Sequence, residues 1–245
     1  TIKLSQSNTA QDITIKGETS GIEVFEGTVN SSSVEDDDVI FSGSRDFSNI
    51  TLKNIDELTL ADGSSTRQTL GINANSNFGL TEIEDFTTGS VSTSDIFDYK
   101  SNLVSGNGTL VSSDVDLNLN SISSGDRSTD IISANNTAVI EFEVNKLTID
   151  ITGSSDSQIT DAVEALLESV NASSNLTGTT SAVKEGGINT DTLLIFHEAD
   201  NDAVIIRYQE GSTSEADFNG ELSVVAIFDT LAHSGSDLFE NTNIV

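Results

Sequence analysis

Cysteine, methionine, proline and tryptophan are all missing from this chain of 245 residues. Without cysteine there is no disulfide framework, no thiolate metal site and no thiol nucleophile. Without proline, the turns must be built from Gly, Asn, Asp and Ser. Basic residues are scarce as well: ten Lys and Arg stand against forty Asp and Glu, a formal charge of −30. Phosphate binding needs a basic surface, so nucleic acid is excluded as an expected partner. No run is long and apolar enough to form a membrane-spanning helix. Histidine occurs only at His197 and His233. Neither has a Gly-x-Ser-x-Gly elbow to serve, and His-Glu-x-x-His and glycine-rich phosphate loops are absent. Carboxylate pairs abound, but nothing selects one for glycosidase chemistry. Two tyrosines and no tryptophan leave a sugar cleft short of stacking platforms. The expectation is a protein that is not an enzyme.

What is present is carboxylate, small polar residues and many short apolar runs. So much like charge opposes compaction unless bound cations or salt screen it. The chain starts at Thr1 without methionine, which predicts a processed end or a piece of something longer. The composition is that of a secreted protein, and it predicts an extracellular or cell-surface location.

Residues 1 to 30 carry β-like pieces at Thr1-Ile2-Lys3-Leu4, Ile13 to Lys16 and Ile22 to Phe25. The strand Thr1–Leu4 can pair within its own domain or be lent to a neighbouring copy in a homo-oligomer or polymer. From Val39 to Phe86 very short apolar units alternate with Asn, Asp, Gly and Ser. Strands this short must stack or pack on something else, as in a sandwich edge or a β-solenoid. They align with no fixed repeat length, which argues against a regular solenoid. Residues 94–104 fit either a short helix or a turn with one strand. Ala138 to Val144 and Lys146 to Ile151 read as strands.

One helix is predicted over 157–171, where Ile159, Ala162, Val163, Leu166, Leu167 and Val170 form a single stripe. Ser155-x-x-Gln158 offers a capping box, and the stripe is expected to cover a sheet. The densest apolar stretch, residues 191–229, predicts an antiparallel meander. Two strands, ending in Leu193 to Phe196 and spanning Val204 to Tyr208, are joined by the polar turn Glu198 to Asp202, and a third run follows at Leu222 to Phe228. The fold class is therefore mainly β: a short-stranded β-sandwich or irregular β-solenoid-like N-terminal part, and a β-rich C-terminal part carrying one amphipathic helix. The boundary is set at 1–104 and 105–245, or the two form one continuous domain.

Calcium takes several oxygen ligands, often from one loop with alternating acidic residues. Glu198, Asp200 and Asp202 in the predicted turn, and Asp36, Asp37 and Asp38 in the densest acidic run, are the candidate Ca2+ ligands. Neither cluster matches an EF-hand, and no Gly-Gly-x-Gly-x-Asp repeat occurs. Asn30, Asn49, Asn107, Asn171 and Asn175 begin Asn-x-Ser/Thr sequons, which matter only in a host that glycosylates them.

The segment DVIFSGSRDFSNITLKNIDELTLADG, residues 38–63, resembles the units of bacterial S-layer and RTX-type surface proteins. The Ile-Arg-Tyr-Gln-Glu-Gly run at 206–211 and the acidic tail ending in Ile244-Val245 look like the C-terminal region of calcium-associated proteins exported by type I secretion. The resemblance implies calcium-dependent folding after export, an uncleaved C-terminal export signal, and a role in surface layers, adhesion or filaments. The expected function is a secreted structural protein that self-assembles into a surface layer or extracellular filament with calcium support. The alternative is an adhesin or carbohydrate-binding module of a larger surface protein.

Overall fold

A computed structural model gives the fold. It describes residues 1–3, 13–15, 22, 24–27, 37–41, 43–47, 50–53, 55, 57–60, 67–72, 82–89, 92–101, 103–104, 110–111, 119–122, 139–142, 147–172, 191–198, 202–210, 218, 220–229, 231–233, 239 and 243–244. The strands in the first part are β1 (Ile2–Lys3), β2 (Ile13–Ile15), β3 (Val24–Glu26), β4 (Asp38–Phe41), β5 (Ser44–Asp46), β6 (Thr51–Lys53), β7 (Glu57–Leu60), β8 (Thr69–Ile72), β9 (Glu82–Glu84), β10 (Thr87–Thr88) and β11 (Ile96–Tyr99). Next come β12 (Leu103–Val104), β13 (Leu110–Val111), β14 (Leu119–Ile122), β15 (Val139–Phe142), the helix α1 (Asp156–Ala172), β16 (Asp191–His197), β17 (Ala203–Gln209), β18 (Leu222–Phe228) and β19 (Ala232–His233). The protein is mainly β, with one helix among the described residues, as the periodicity predicts. Its contacts gather into two units, one of Thr1–Lys100 with Ala226–Val245 and one of Ser101–Val225.

The first unit is a coil of parallel strands. β1, β3 and β6 pair in parallel, as do β2, β4, β7 and β9, and β5, β8 and β11. From β3 to β8 the chain visits these three sheets in the same order twice, so each pass lays a strand beside its predecessor. Sandwiches are built from antiparallel strands. This topology therefore selects the solenoid-like alternative. Register partners lie 25 positions apart from Ser44 to Thr69, 27 from Thr69 to Ile96 and 19 from Asp38 to Glu57. Unequal coil lengths explain why the units align with no fixed repeat.

Within each short strand, side chains alternate between faces. Asp38 to Phe41 and Glu57 to Leu60 share one pattern, in which the second and fourth residues are buried and the others half-buried. Stacking in register turns that alternation into columns: Ile13, Val39, Leu58 and Ile83 form one, and Ile15, Phe41 and Leu60 another. Neighbouring parallel strands stand roughly 4.8 Å apart, so each buried side chain packs on the residue above and below it. Phe47 fills the interior with its ring centroid 5.4 Å from Phe41 and 6.4 Å from Phe25. Asp85, between β9 and β10, has φ 59° and Gly43 has φ 77°. A chain without proline makes these bends with residue types that tolerate the left-handed region.

The last described residues of the chain belong to this unit. Ile227 and Phe228 of β18 pair in parallel with Glu82 and Ile83 of β9, β19 pairs in parallel with β10, and Ile244 bridges in parallel to Phe97 of β11. Ile227, Phe228, β19 and Ile244 thus add to strands β9, β10 and β11 of the N-terminal part. The expected boundary put 105–245 together. The contacts instead return the end of the chain to the first unit and place 101–104 in the second.

In the second unit β16 and β17 pair antiparallel over seven residues, from Asp191 opposite Gln209 to His197 opposite Ala203. β15 joins β16 in parallel, and β14 joins β15. Every residue of β16 is buried, as a strand covered on both faces requires, and Phe142 stacks on its register partner Phe196 at 4.5 Å. Helix α1 buries Ile159, Val163 and Leu167 completely. Its capping box forms: the Gln158 amide accepts from the Ser155 backbone N–H at 3.0 Å, and Ser155 Oγ accepts from the Gln158 N–H at 3.4 Å. Residues 147–151 are not the expected strand. Leu147 N–H donates to the His197 carbonyl, but Ile151 N–H donates to a side chain, the Glu198 carboxylate. The alternation of Leu147, Ile149 and Ile151 is real, yet a second ladder bond is lacking where the chain turns toward the helix. The stretch 94–104, which fits either a short helix or a turn with one strand, carries the two strands β11 (Ile96–Tyr99) and β12 (Leu103–Val104).

Candidate functional site

The two predicted calcium clusters fall in different units. Asp37 is buried and Asp38 opens β4 at the start of an outward column; Asp36 lies outside the described residues. Glu198 and Asp202 close the β16–β17 turn, Glu198 N–H donating to the Asp202 carbonyl at 2.9 Å. Asp200 lies outside the described residues. Glu198 Oε2 accepts from the Ile151 N–H at 2.8 Å, so this carboxylate ties the turn to the approach of α1. Among the described residues no three His, Asp or Glu side chains gather as a metal-holding group.

The parallel register brings other carboxylates together. Asp38, Glu57 and Glu82 occupy one column on successive strands, all on the half-buried face. One step along, Glu84 is hydrogen-bonded to Glu57 and Asp229. Burial pushes the Glu84 carboxyl above its ordinary value, the Glu57 hydrogen bond offsets part of that, and the charges of Asp229 and Asp85 push it further up. These residues are far apart in sequence. No local pattern could have marked them, because only the register puts them side by side.

In the second unit the polar side chains that sequence reasoning passed over face inward. His197 Nε2 lies 2.8 Å from Glu141 Oε1, with Glu141 fully buried and His197 nearly so. Arg207 grips Asp191 in a two-bond fork at 2.8 and 2.5 Å, the geometry in which a guanidinium matches a carboxylate best. Tyr208 donates to Glu210 Oε2 at 2.8 Å, and Glu210 is itself buried. Each of these inward-facing side chains has a hydrogen-bonding partner, as burial of polar groups requires.

The most elaborate polar arrangement lies within the first unit, around Asp95 and Asn243. Asp95 is buried; its oxygens accept from the Gln68 N–H and the Thr87 N–H, each at 2.9 Å. Burial raises its pKa, and those two bonds act against the rise. Asn243, fully buried, donates from Nδ2 to the Asp95 carbonyl at 2.8 Å and accepts at Oδ1 from the Gly89 N–H at 3.0 Å. Its own carbonyl accepts from the Phe97 N–H at 2.6 Å. Ile244 then extends the buried column of Leu70 and Phe97. Phe228 and Phe239 pack against Phe86, at 4.9 and 5.9 Å between centroids. In the tail that reads as acidic, the described residues Phe239, Asn243 and Ile244 are thus buried.

At the opposite end, β1 and β2 stand last in their described strand orders. Ile2 of β1 is 37 % exposed, the one large apolar side chain exposed among the described residues. Comparison with protein-family models, with curated proteins and with solved structures finds no match.

Proposed function

We propose that this protein is a structural component, secreted to the cell surface or its surroundings, that self-assembles into a layer or filament by adding strands at the edges of its parallel coil. The observation that carries this reading is the first coil: β1 and β2 end their described sheets, and Ile2 on that edge is exposed. A strand edge presents backbone donors and acceptors in a row and is a template for another chain. A contact between one end of a coil and the other end of the next copy is head-to-tail, and head-to-tail contacts that do not close a ring propagate. Asp38, Glu57 and Glu82 stack like charges in one column without forming a metal-holding group. Calcium would screen these stacked charges and thereby favour both folding and close approach of copies. Sugar recognition by ring stacking is less well supported, since both tyrosines and every described phenylalanine are buried.

Electron microscopy and light scattering at millimolar calcium test the proposal. Wild-type protein is expected to form extended assemblies, and Ile2→Lys, which places charge on the first-coil edge, is expected to suppress them while leaving the monomer folded. A wild-type protein that stays monomeric with and without calcium would sink this reading.

A further inference from the structure

We propose that Glu210 is a ligand for a calcium-class cation, bound in the second unit between the end of β17 and the start of β18. β17 ends at Gln209 and β18 begins at Leu222, and the Gln209 N–H donates to the Glu221 carbonyl at 2.9 Å. Glu210 and Glu221 therefore bring two carboxylates to the same place, one just after the first strand and one just before the second. Residues two apart on an extended chain share a face, so Glu210 turns inward with Tyr208, whose hydroxyl donates to Glu210 Oε2 at 2.8 Å. Phe218 packs on Tyr208 with ring centroids 5.5 Å apart, and Glu210 is only 2 % exposed.

The second oxygen of this carboxylate lacks what burial demands. Glu210 Oε1 is shut off from solvent and meets no hydrogen-bond donor, whereas a carboxylate taken out of water needs donors and a counter-charge. Among the described residues of this unit Arg207 is the one Lys or Arg. It lies on the face opposite Tyr208 by strand alternation, and its guanidinium is committed to Asp191. From Tyr208 to Val245 the sequence holds no Lys or Arg at all. An ion from solution supplies the counter-charge that the chain does not. Calcium accepts carboxylate, carbonyl, hydroxyl and water oxygens in flexible geometry, whereas magnesium demands a near-ideal octahedron and sheds its waters reluctantly. A buried carboxylate flanked by neutral oxygens, with the charge of Glu221 beside it, suits calcium. No three acidic or histidine side chains gather among the described residues, so the expected affinity is that of a site with low ligand charge, a Kd on the order of 10⁻⁴ to 10⁻³ M.

Terbium replaces calcium at oxygen sites and emits when an excited tyrosine lies close by. The chain has two tyrosines and no tryptophan, and Tyr99 belongs to the first unit, so the emission reports this site. Dilute, monomeric full-length protein should give tyrosine-sensitised emission that calcium displaces and equal magnesium does not. Tyr99→Phe should keep the signal and Tyr208→Phe should lose it. Glu210→Gln keeps the side-chain shape without the charge. It should abolish the emission, and with it the excess by which calcium raises the melting midpoint over equal magnesium, a comparison in which both ions screen alike. A Glu210 that serves only as the acceptor for Tyr208 would leave both readouts unchanged in that variant. No emission from wild-type protein, emission that survives Glu210→Gln, or emission lost with Tyr99→Phe and kept with Tyr208→Phe would overturn the site. Should Glu210→Gln fail to fold, the wild type and the two tyrosine variants still decide. Emission from protein that never assembles would uphold the site and refute the self-assembly reading, and assemblies without emission would do the reverse.

Discussion

Glu84 lies among Glu57, Asp85 and Asp229, and its raised pKa has a consequence for stability. Above its ordinary value of 4.5, the folded chain retains a proton that the unfolded chain has released. Stability therefore falls as pH rises through the interval from 4.5 to the folded-state value, and is recovered on acidification through it. Glu84→Gln should stabilise the first unit at pH 7 and flatten that part of the profile, as read from urea midpoints across pH 4 to 8. At the other end of the polar scale, Asn243→Ala removes the bonds to the buried Gly89 N–H and the Asp95 carbonyl. A cost of about 1–3 kcal/mol is expected for the buried donor left behind, measurable as a drop in the first unit's denaturation midpoint. Ser155 was readable in advance, since its partner Gln158 is three residues away. Ser155→Ala should cost about 1 kcal/mol of helix stability by thermal melting followed at 222 nm.

Among the elements, helix α1 and the strands of the β16–β17 pair follow from periodicity, because each has enough residues to display its period. The strands of the coil are too short for that, and their stability comes from columns. Leu58 is fully buried between Val39 and Ile83, whereas Thr59 beside it lies on the half-buried outer face. Leu58→Ala should cost about 2–5 kcal/mol, and Thr59→Ala no more than roughly 0.5 kcal/mol, a contrast that equilibrium unfolding of the two variants checks. Residues 147–151 mark where alternation misleads. Leu147 and Ile151 are both buried, yet Ile151 bonds to the Glu198 side chain and no strand forms. Apolar spacing reports which side chains are inside, and a strand additionally needs a neighbour's backbone.

For the whole molecule, a formal charge of −30 makes stability depend on screening. The denaturation midpoint should rise with ionic strength as the Debye length falls from roughly 30 Å at 0.01 M to 3 Å at 1 M. Calcium should raise it further than sodium does at equal ionic strength, and equal effects would assign the stabilisation to screening alone. The sequence by itself determined the mainly β class, the helix with its cap and apolar stripe, and the β16–β17 pairing. Each of these depends on neighbours within a few positions, where propensity and periodicity act directly. Only the tertiary structure decided that the short strands pair in parallel into a coil, that Asp38, Glu57 and Glu82 share a column, and that Asn243 and Ile244 are buried beside Asp95 and Phe97. Those facts join residues about twenty to nearly a hundred and fifty positions apart, through backbone bonds that any sequence can make. Which partner is chosen is settled by how the buried columns and rings fit once the coils are stacked.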